Sequence, residues 1–178
     1  MRRPLLSLLF AATAFACGAA CALEPAQPAY IGKRVTSAAD EAAIRQVAAQ
    51  FQAAIRSKDV KLLSTLVLNS NIPFDAPGSP EMIARVRDKF DVSYDGVRSG
   101  GFGSFARFIG ESKEPLEEKF YNLKITQDGH VAWLLFDYEF LQGGKTSNHG
   151  IEAWQMMKHL DGKWKIASVI WTANYLPE

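Results

Sequence analysis

Residues 148–174 read NHGIEAWQMMKHLDGKWKIASVIWTAN. Two alternating runs flank Asp161-Gly162, and three of the chain's four tryptophans fall within them. Alternation with period two marks a half-buried strand, and Asp-Gly between two such runs marks a hairpin. Both faces of this hairpin carry large apolar side chains, so the fold turns on what each face covers. A two-residue turn pairs His159 with Trp164, Met157 with Ile166, Gln155 with Ser168, Ala153 with Ile170 and Ile151 with Thr172 on one face. The opposite face holds Lys158 with Lys165, Met156 with Ala167, Trp154 with Val169, and Glu152 with Trp171.

The preceding hairpin turns at Asp128-Gly129 and places Leu123, Ile125, Ala132, Leu134, Phe136, Tyr138 and Phe140 on one face, with Tyr121 among them. With Leu141 opposite Asn148, that face continues into Gln155, Ser168 and Ile170. This surface is expected to look inward, and the one bearing Trp133, Trp154, Met156 and Trp171 outward. Four strands result, at about 117–127, 130–141, 148–159 and 163–174.

The half before them is helical. Ser37 caps a helix over 38–57, with Asp40 and Glu41 in its first turn and Ile44, Val47, Ala48, Phe51 and Ile55 on one side. Asp59 caps a shorter helix that buries Val60, Leu63 and Leu66. Irregular sequence follows, with a short strand expected near 72–74, a helix over 80–90, a loop, and a helix over 104–112.

The chain of 178 residues, 48% hydrophobic and 22% charged, suits one domain with a real core. Residues 1–22 carry Arg2 and Arg3, an apolar run and Ala20-Cys21-Ala22, the pattern of a cleaved secretory signal. Export to a bacterial periplasm or beyond is the expectation, with a lipid anchor on Cys21 as the alternative and no membrane span after cleavage. Residues 23–36 form a linker and 37–178 the folded domain. Both cysteines lie in the leader, and its loss leaves 18 basic against 19 acidic residues. That balance gives no footprint for nucleic acid, and three scattered histidines without a cysteine offer no metal site and no cofactor. The glycines of GFGSFA, residues 101–106, lack the strand–turn–helix setting of a dinucleotide loop.

Four lines, IRQVAAQFQAAIRSKDVKLLSTLV, NIPFDAPG, EEKFYNLKITQDGHVAWLLFDYEF and HGIEAWQMMKHLDGKWKIASVIW, resemble the nuclear transport factor 2-like superfamily. The likeness is greatest to its SnoaL-like and ketosteroid-isomerase-like branch and covers about 37–175. It implies an α+β fold, a cone-shaped barrel of curved, mostly antiparallel sheet wrapped around N-terminal helices. It also implies a pocket at the open end and frequent dimers.

The expected pocket lining is Phe51, Phe74, Tyr121, Phe136, Tyr138, Gln155, Ser168 and Ile170, around a small apolar or amphipathic ligand. Alignment puts Asp75 at the isomerases' general base and Phe51 at their oxyanion-holding tyrosine, where a phenyl ring has no donor. The acid those enzymes carry on a strand is missing, with Gln155 and Met157 at the inward positions. His149 beside Tyr138 is a second acid–base candidate. Asp137 and Glu152 are expected to oppose each other outside. Three functions stay open: a binding domain without catalysis, an isomerase, cyclase or dehydratase using Asp75 or His149, and a dimeric module with a closed pocket. The tryptophan face, Trp133, Trp154, Met156 and Trp171, is expected to join a homodimer, with the tail or a loop folded over it as the alternative.

Overall fold

Ser37 opens the first helix through its side-chain oxygen, which accepts the Asp40 N–H at 3.0 Å. The computed structural model describes residues 27–174, so the leader, both cysteines and the start of the linker lie outside the described residues. The chain divides into residues 1–33 and 34–178. Of the first part, residues 27–33 are described, and they form a turn in which the Ile31 N–H donates to the Pro28 carbonyl (3.0 Å).

Helix α1 (Ala38–Ser57) buries Ile44, Val47, Ala48, Phe51, Ala54 and Ile55, the stripe its spacing predicts. Lys58 ends it in the left-handed region, at φ 55°. Asp59 caps α2 (Val60–Leu66) by accepting the Leu62 N–H at 2.8 Å, and Leu63 and Leu66 face the core. Helix α3 (Pro80–Lys89) starts with proline at its first turn and buries none of its residues. Helix α4 (Gly101–Glu111) begins three residues earlier than the sequence suggests, with GFG as its first turn.

The strands are β1 (Phe74–Pro77), β2 (Val97–Ser99), β3 (Leu116–Gln127), β4 (Val131–Gln142), β5 (Lys145–Lys158) and β6 (Trp164–Trp171). They form one sheet in the order β2-β1-β6-β5-β4-β3, antiparallel except where β1 lies parallel to β6. The fold is the expected α+β meander, with a sheet whose edge strands β2 and β3 do not meet. Strand β2 comes from a stretch expected to be a loop.

Faces follow from register, and three local irregularities set it. In β3, Asn122 adopts φ 54°, and the ladder slips between Tyr121 and Lys124. The slip turns Tyr121 outward while Leu116 and Glu118 point in. Between β4 and β5, Gly143 and Gly144 (φ 61° and 78°) make a tight turn, and a further slip sets Phe140 opposite Asn148. The expected partner was Leu141. One residue of slip reverses every side chain of β5. Hence Glu152, Trp154 and Met156 point in, and Ile151, Gln155 and Met157 point out.

The last hairpin closes through Leu160-Asp161-Gly162, with His159 N–H bonded to the Lys163 carbonyl at 2.8 Å and Gly162 at φ 79°. Lys158 therefore pairs with Trp164 and Met156 with Ile166, while a bulge at Ala167 restores the expected pairs from Gln155–Ser168 onward. Trp164, Ile166 and Val169 are buried beneath the helices. The Trp164 indole donates to Asp40 Oδ1 at 2.9 Å, tying the sheet to the first turn of α1. Lys158 Nζ meets the same oxygen at 2.6 Å, and these donors, lysine first, hold the Asp40 carboxyl down at about 2.

Candidate functional site

Between the sheet and α1 and α4 lies a cavity of about 250 Å³. Phe51 of α1, Phe105 and Phe108 of α4 and Phe74 of β1 supply aromatic walls. Phe51 stacks on Phe105 at 5.6 Å between ring centres, and Phe74 on Phe105 at 5.1 Å. Val169 and Trp171 of β6 close one side, and Tyr138 and Phe140 of β4 another. Arg98 and Gln142, both exposed, stand at the mouth with Ser147.

Beside the cavity Gly150, opposite Tyr138, sends no side chain inward. A Cβ on Gly150 would meet the Thr172 carbonyl oxygen at 2.1 Å. The Tyr138 hydroxyl lies within hydrogen-bond distance of that same carbonyl (2.9 Å) and of Asn148 Oδ1 (2.7 Å). Glycine thus lets the end of β6 close over β5 and gives the tyrosine its partners.

Two carboxylic acids reach into this apolar space, Glu118 from β3 and Glu152 from β5. They are 5% and 4% exposed. Glu152 Oε1 accepts the indole N–H of Trp154. Glu118 Oε2 is the one buried side-chain oxygen or nitrogen, among the described residues, without a hydrogen-bond partner. Burial pushes the Glu152 carboxyl up to about 7, with the Trp154 bond opposing it. Burial, and then the neighbouring Glu152 charge, hold Glu118 well above the carboxylate range. Such a pair keeps at least one proton at neutral pH, which suits proton exchange with a bound molecule or attraction of a positive one.

Of the residues expected to line a pocket, Phe51, Phe74 and Tyr138 do so. Phe136 is buried one layer deeper, against Phe120 and Trp154. Tyr121 lies on the outer side, its hydroxyl 3.2 Å from Glu139 Oε2. Gln155 and Ser168 pair with each other on that outer side (2.9 Å), and Ile170 beside them is exposed.

Neither acid–base candidate enters the cavity. Asp75 shares the outer face with Ile170 and accepts from Ser99 Oγ at 2.8 Å. His149 lies opposite the outer Glu139 and bonds through its backbone to Asn174. The supposed dimer face also divides. Trp133 is outward and 50% exposed, whereas Trp154 and Met156 are each 1% exposed in the core, and Trp171 lines the cavity. Asp137, expected opposite Glu152, instead accepts from Asn122 Nδ2 at 2.6 Å.

The sequence reading missed Glu118, Glu152, Asn148 and Arg98, and it wrongly left the inner strands without an acid. A signal was present in Leu116-x-Glu118-x-Phe120 and Glu152-x-Trp154-x-Met156, where an acid shares the parity of large apolar neighbours. Among the described residues no group of three or more His, Cys, Asp or Glu side chains is placed to hold a metal ion. No described helix is long and apolar enough to cross a membrane.

No protein-family model matches this sequence, and no curated protein matches it significantly. Solved structures do match. A nuclear transport factor 2-like protein from Cytophaga hutchinsonii superposes with a TM-score of 0.56 at 16% identity, covering 78% of this chain and 100% of that one. A nuclear transport factor 2-like protein of unknown function from Pseudomonas putida gives 0.56 at 15%, covering 80% and 92%. A Nostoc punctiforme protein of unknown function with a cystatin-like fold gives 0.55 at 14%, covering 80% and 96%. With helices packed on one side of a six-stranded sheet and these structures superposing over most of their length, the chain has the nuclear transport factor 2-like fold.

Proposed function

We propose that the protein is an exported small-molecule-binding domain of the SnoaL-like type and that the aromatic cavity is its binding site. The observation that carries this is the unfilled space of about 250 Å³ beneath a well-packed sheet, walled by aromatic rings and holding two buried carboxyls. Apolar space with a few convergent polar groups is how ligand sites are built. This volume falls below the roughly 300–1,000 Å³ of sites for drug-sized ligands, so the ligand is about a single ring with a short substituent. An acid–base role in this site falls to Glu118 and Glu152, since Asp75 and His149 face away. The leader sequence supports export.

One experiment reads both parts of the proposal. The intact mass of protein isolated gently from the producing cell's envelope should begin at Leu23 and carry a releasable small-molecule adduct. The adduct should vanish in Val169→Trp, which fills the cavity from β6. A mass that retains the leader removes export. No adduct, together with no thermal shift on adding small aromatic compounds, removes the binding function.

The outer side of the sheet joins a second copy of the chain. Trp133 and Leu135 of β4, Ile151 and Met157 of β5 and Ile170 of β6 are exposed there on three adjacent strands. A patch of this kind is self-complementary when two copies meet about a two-fold axis. Sedimentation should find the natural chain dimeric and Trp133→Lys monomeric at the same concentration. A monomeric natural chain would refute the assignment.

A further inference from the structure

The interior of the cavity holds acids, and its basic residue stands at the mouth. Glu118 reaches it from β3 and Glu152 from β5, on either side of β4, and neither enters any ion pair among the described residues. The basic side chain of the lining is Arg98, on edge strand β2 at the solvent-exposed mouth. Tyr138 is the remaining titratable group, and its hydroxyl is directed at Asn148 and Thr172. From α1 and α4 the cavity receives phenyl rings. Native structures pair a buried carboxylate with a charge or with hydrogen bonds, and Glu118 Oε2 has neither among the described residues. Glu118 lines an open cavity, and a buried acid without a protein partner on that wall points to a partner that arrives from outside.

The walls specify that partner's chemistry. A hard metal ion takes six or more oxygen ligands, and among the described residues no third carboxylate or histidine joins the two acids to hold one. Aromatic faces attract cations and also cover hydrocarbon, and five phenyl rings and an indole surround the acids here. We infer that the ligand of this cavity is a small organic monoamine, bound as its ammonium ion between Glu118 and Glu152 with its hydrocarbon part against Phe51, Phe74 and Phe105. Arg98 at the mouth disfavours a second positive group at the outer end, so diamines bind less well than monoamines. The inference rests on the small-molecule reading above and adds the ligand's charge. Binding draws a proton from the acid pair, so affinity rises with pH through the neutral range while the amine remains charged.

Phenethylamine and phenethyl alcohol separate the two levels, because they share a shape and differ in charge. Calorimetry at about pH 8 should show the amine binding at least about ten-fold more tightly, an advantage lost at about pH 5 and in the Glu118→Gln/Glu152→Gln variant. The variant should still bind the alcohol, which also reports that it is folded. Equal affinity for amine and alcohol at the higher pH, or an amine preference that survives in the variant, overturns the ammonium assignment and leaves the binding domain intact. Binding of neither compound overturns both.

Discussion

Replacing Glu118 and Glu152 together by glutamine should abolish a fall in stability that the natural chain shows between about pH 4.5 and pH 7. A carboxyl whose folded-state value lies above its unfolded value binds its proton more tightly when folded. Its contribution is complete below the unfolded value and is lost as pH rises through the folded one, because the unfolded chain then gains by ionising and the folded chain gains less. For Glu152 that window runs from the ordinary 4.5 to about 7. The interval corresponds to about 3 kcal/mol, a large share of the roughly 5–15 kcal/mol that stabilises a domain. Glu118, raised further by burial and by the Glu152 charge, extends the decline to higher pH.

The opposite effect belongs to Asp40, Asp128, Glu139 and Asp161, whose carboxyls are lowered by hydrogen bonds from Lys158, from the Val131 backbone, from Thr146 and from the Lys163 backbone respectively. These contribute above the ordinary carboxylate range and are lost as pH falls through their folded values, outside the window of the pair. Urea unfolding at a series of pH values therefore separates the two classes. The glutamine variant should match the natural chain's acid limb and stay level where the natural chain declines. Parallel profiles from pH 4.5 to pH 7 would show that the acids are solvated and that the site is misassigned.

What was legible in the sequence is what depends on local chemistry. Ser37 and Asp59 cap their helices because a short polar side chain meets the backbone three residues on, and α1 shows its buried stripe in its own spacing. The inner face of β4 was also legible. The first hairpin pairs Gln127 with Ala132, two places along the ladder from the expected register, and an even displacement leaves parity unchanged. The inner face of β5 was not legible. It depends on one residue of slip beside Gly143-Gly144, and both faces of β5 are rich in apolar residues, so composition could not choose between them. The bulge at Asn122 hid Glu118 in the same way. Both acids of the cavity lay behind irregularities of register, whereas the residues that could be aligned by pattern, Asp75 and His149, lie on the other side of the sheet.

Trp154→Ala and Trp133→Lys test that reassignment from opposite sides. Trp154 meets Phe51, Phe120 and Phe136 with ring centres 4.9, 5.6 and 5.3 Å away and is the hydrogen-bond donor to Glu152. Removing a buried indole costs about 3–5 kcal/mol, since its neighbours fill the void only in part. Denaturant unfolding at a fixed protomer concentration should show this as a large drop in midpoint, with the proposed dimer still present under native conditions. Trp133→Lys should dissociate the dimer and leave the core intact. If Trp154 lay on the outer face, as the two-residue turns imply, its replacement would instead dissociate the dimer at little cost to the fold. Trp154→Phe refines the test. It keeps most of the ring packing and removes the N–H, the one interaction drawing the Glu152 carboxyl down, so that acid should titrate above about 7 when followed by carboxyl carbon resonance. A value unchanged from the natural chain would mean that the indole and the acid do not meet, and that the inward row of β5 is drawn incorrectly.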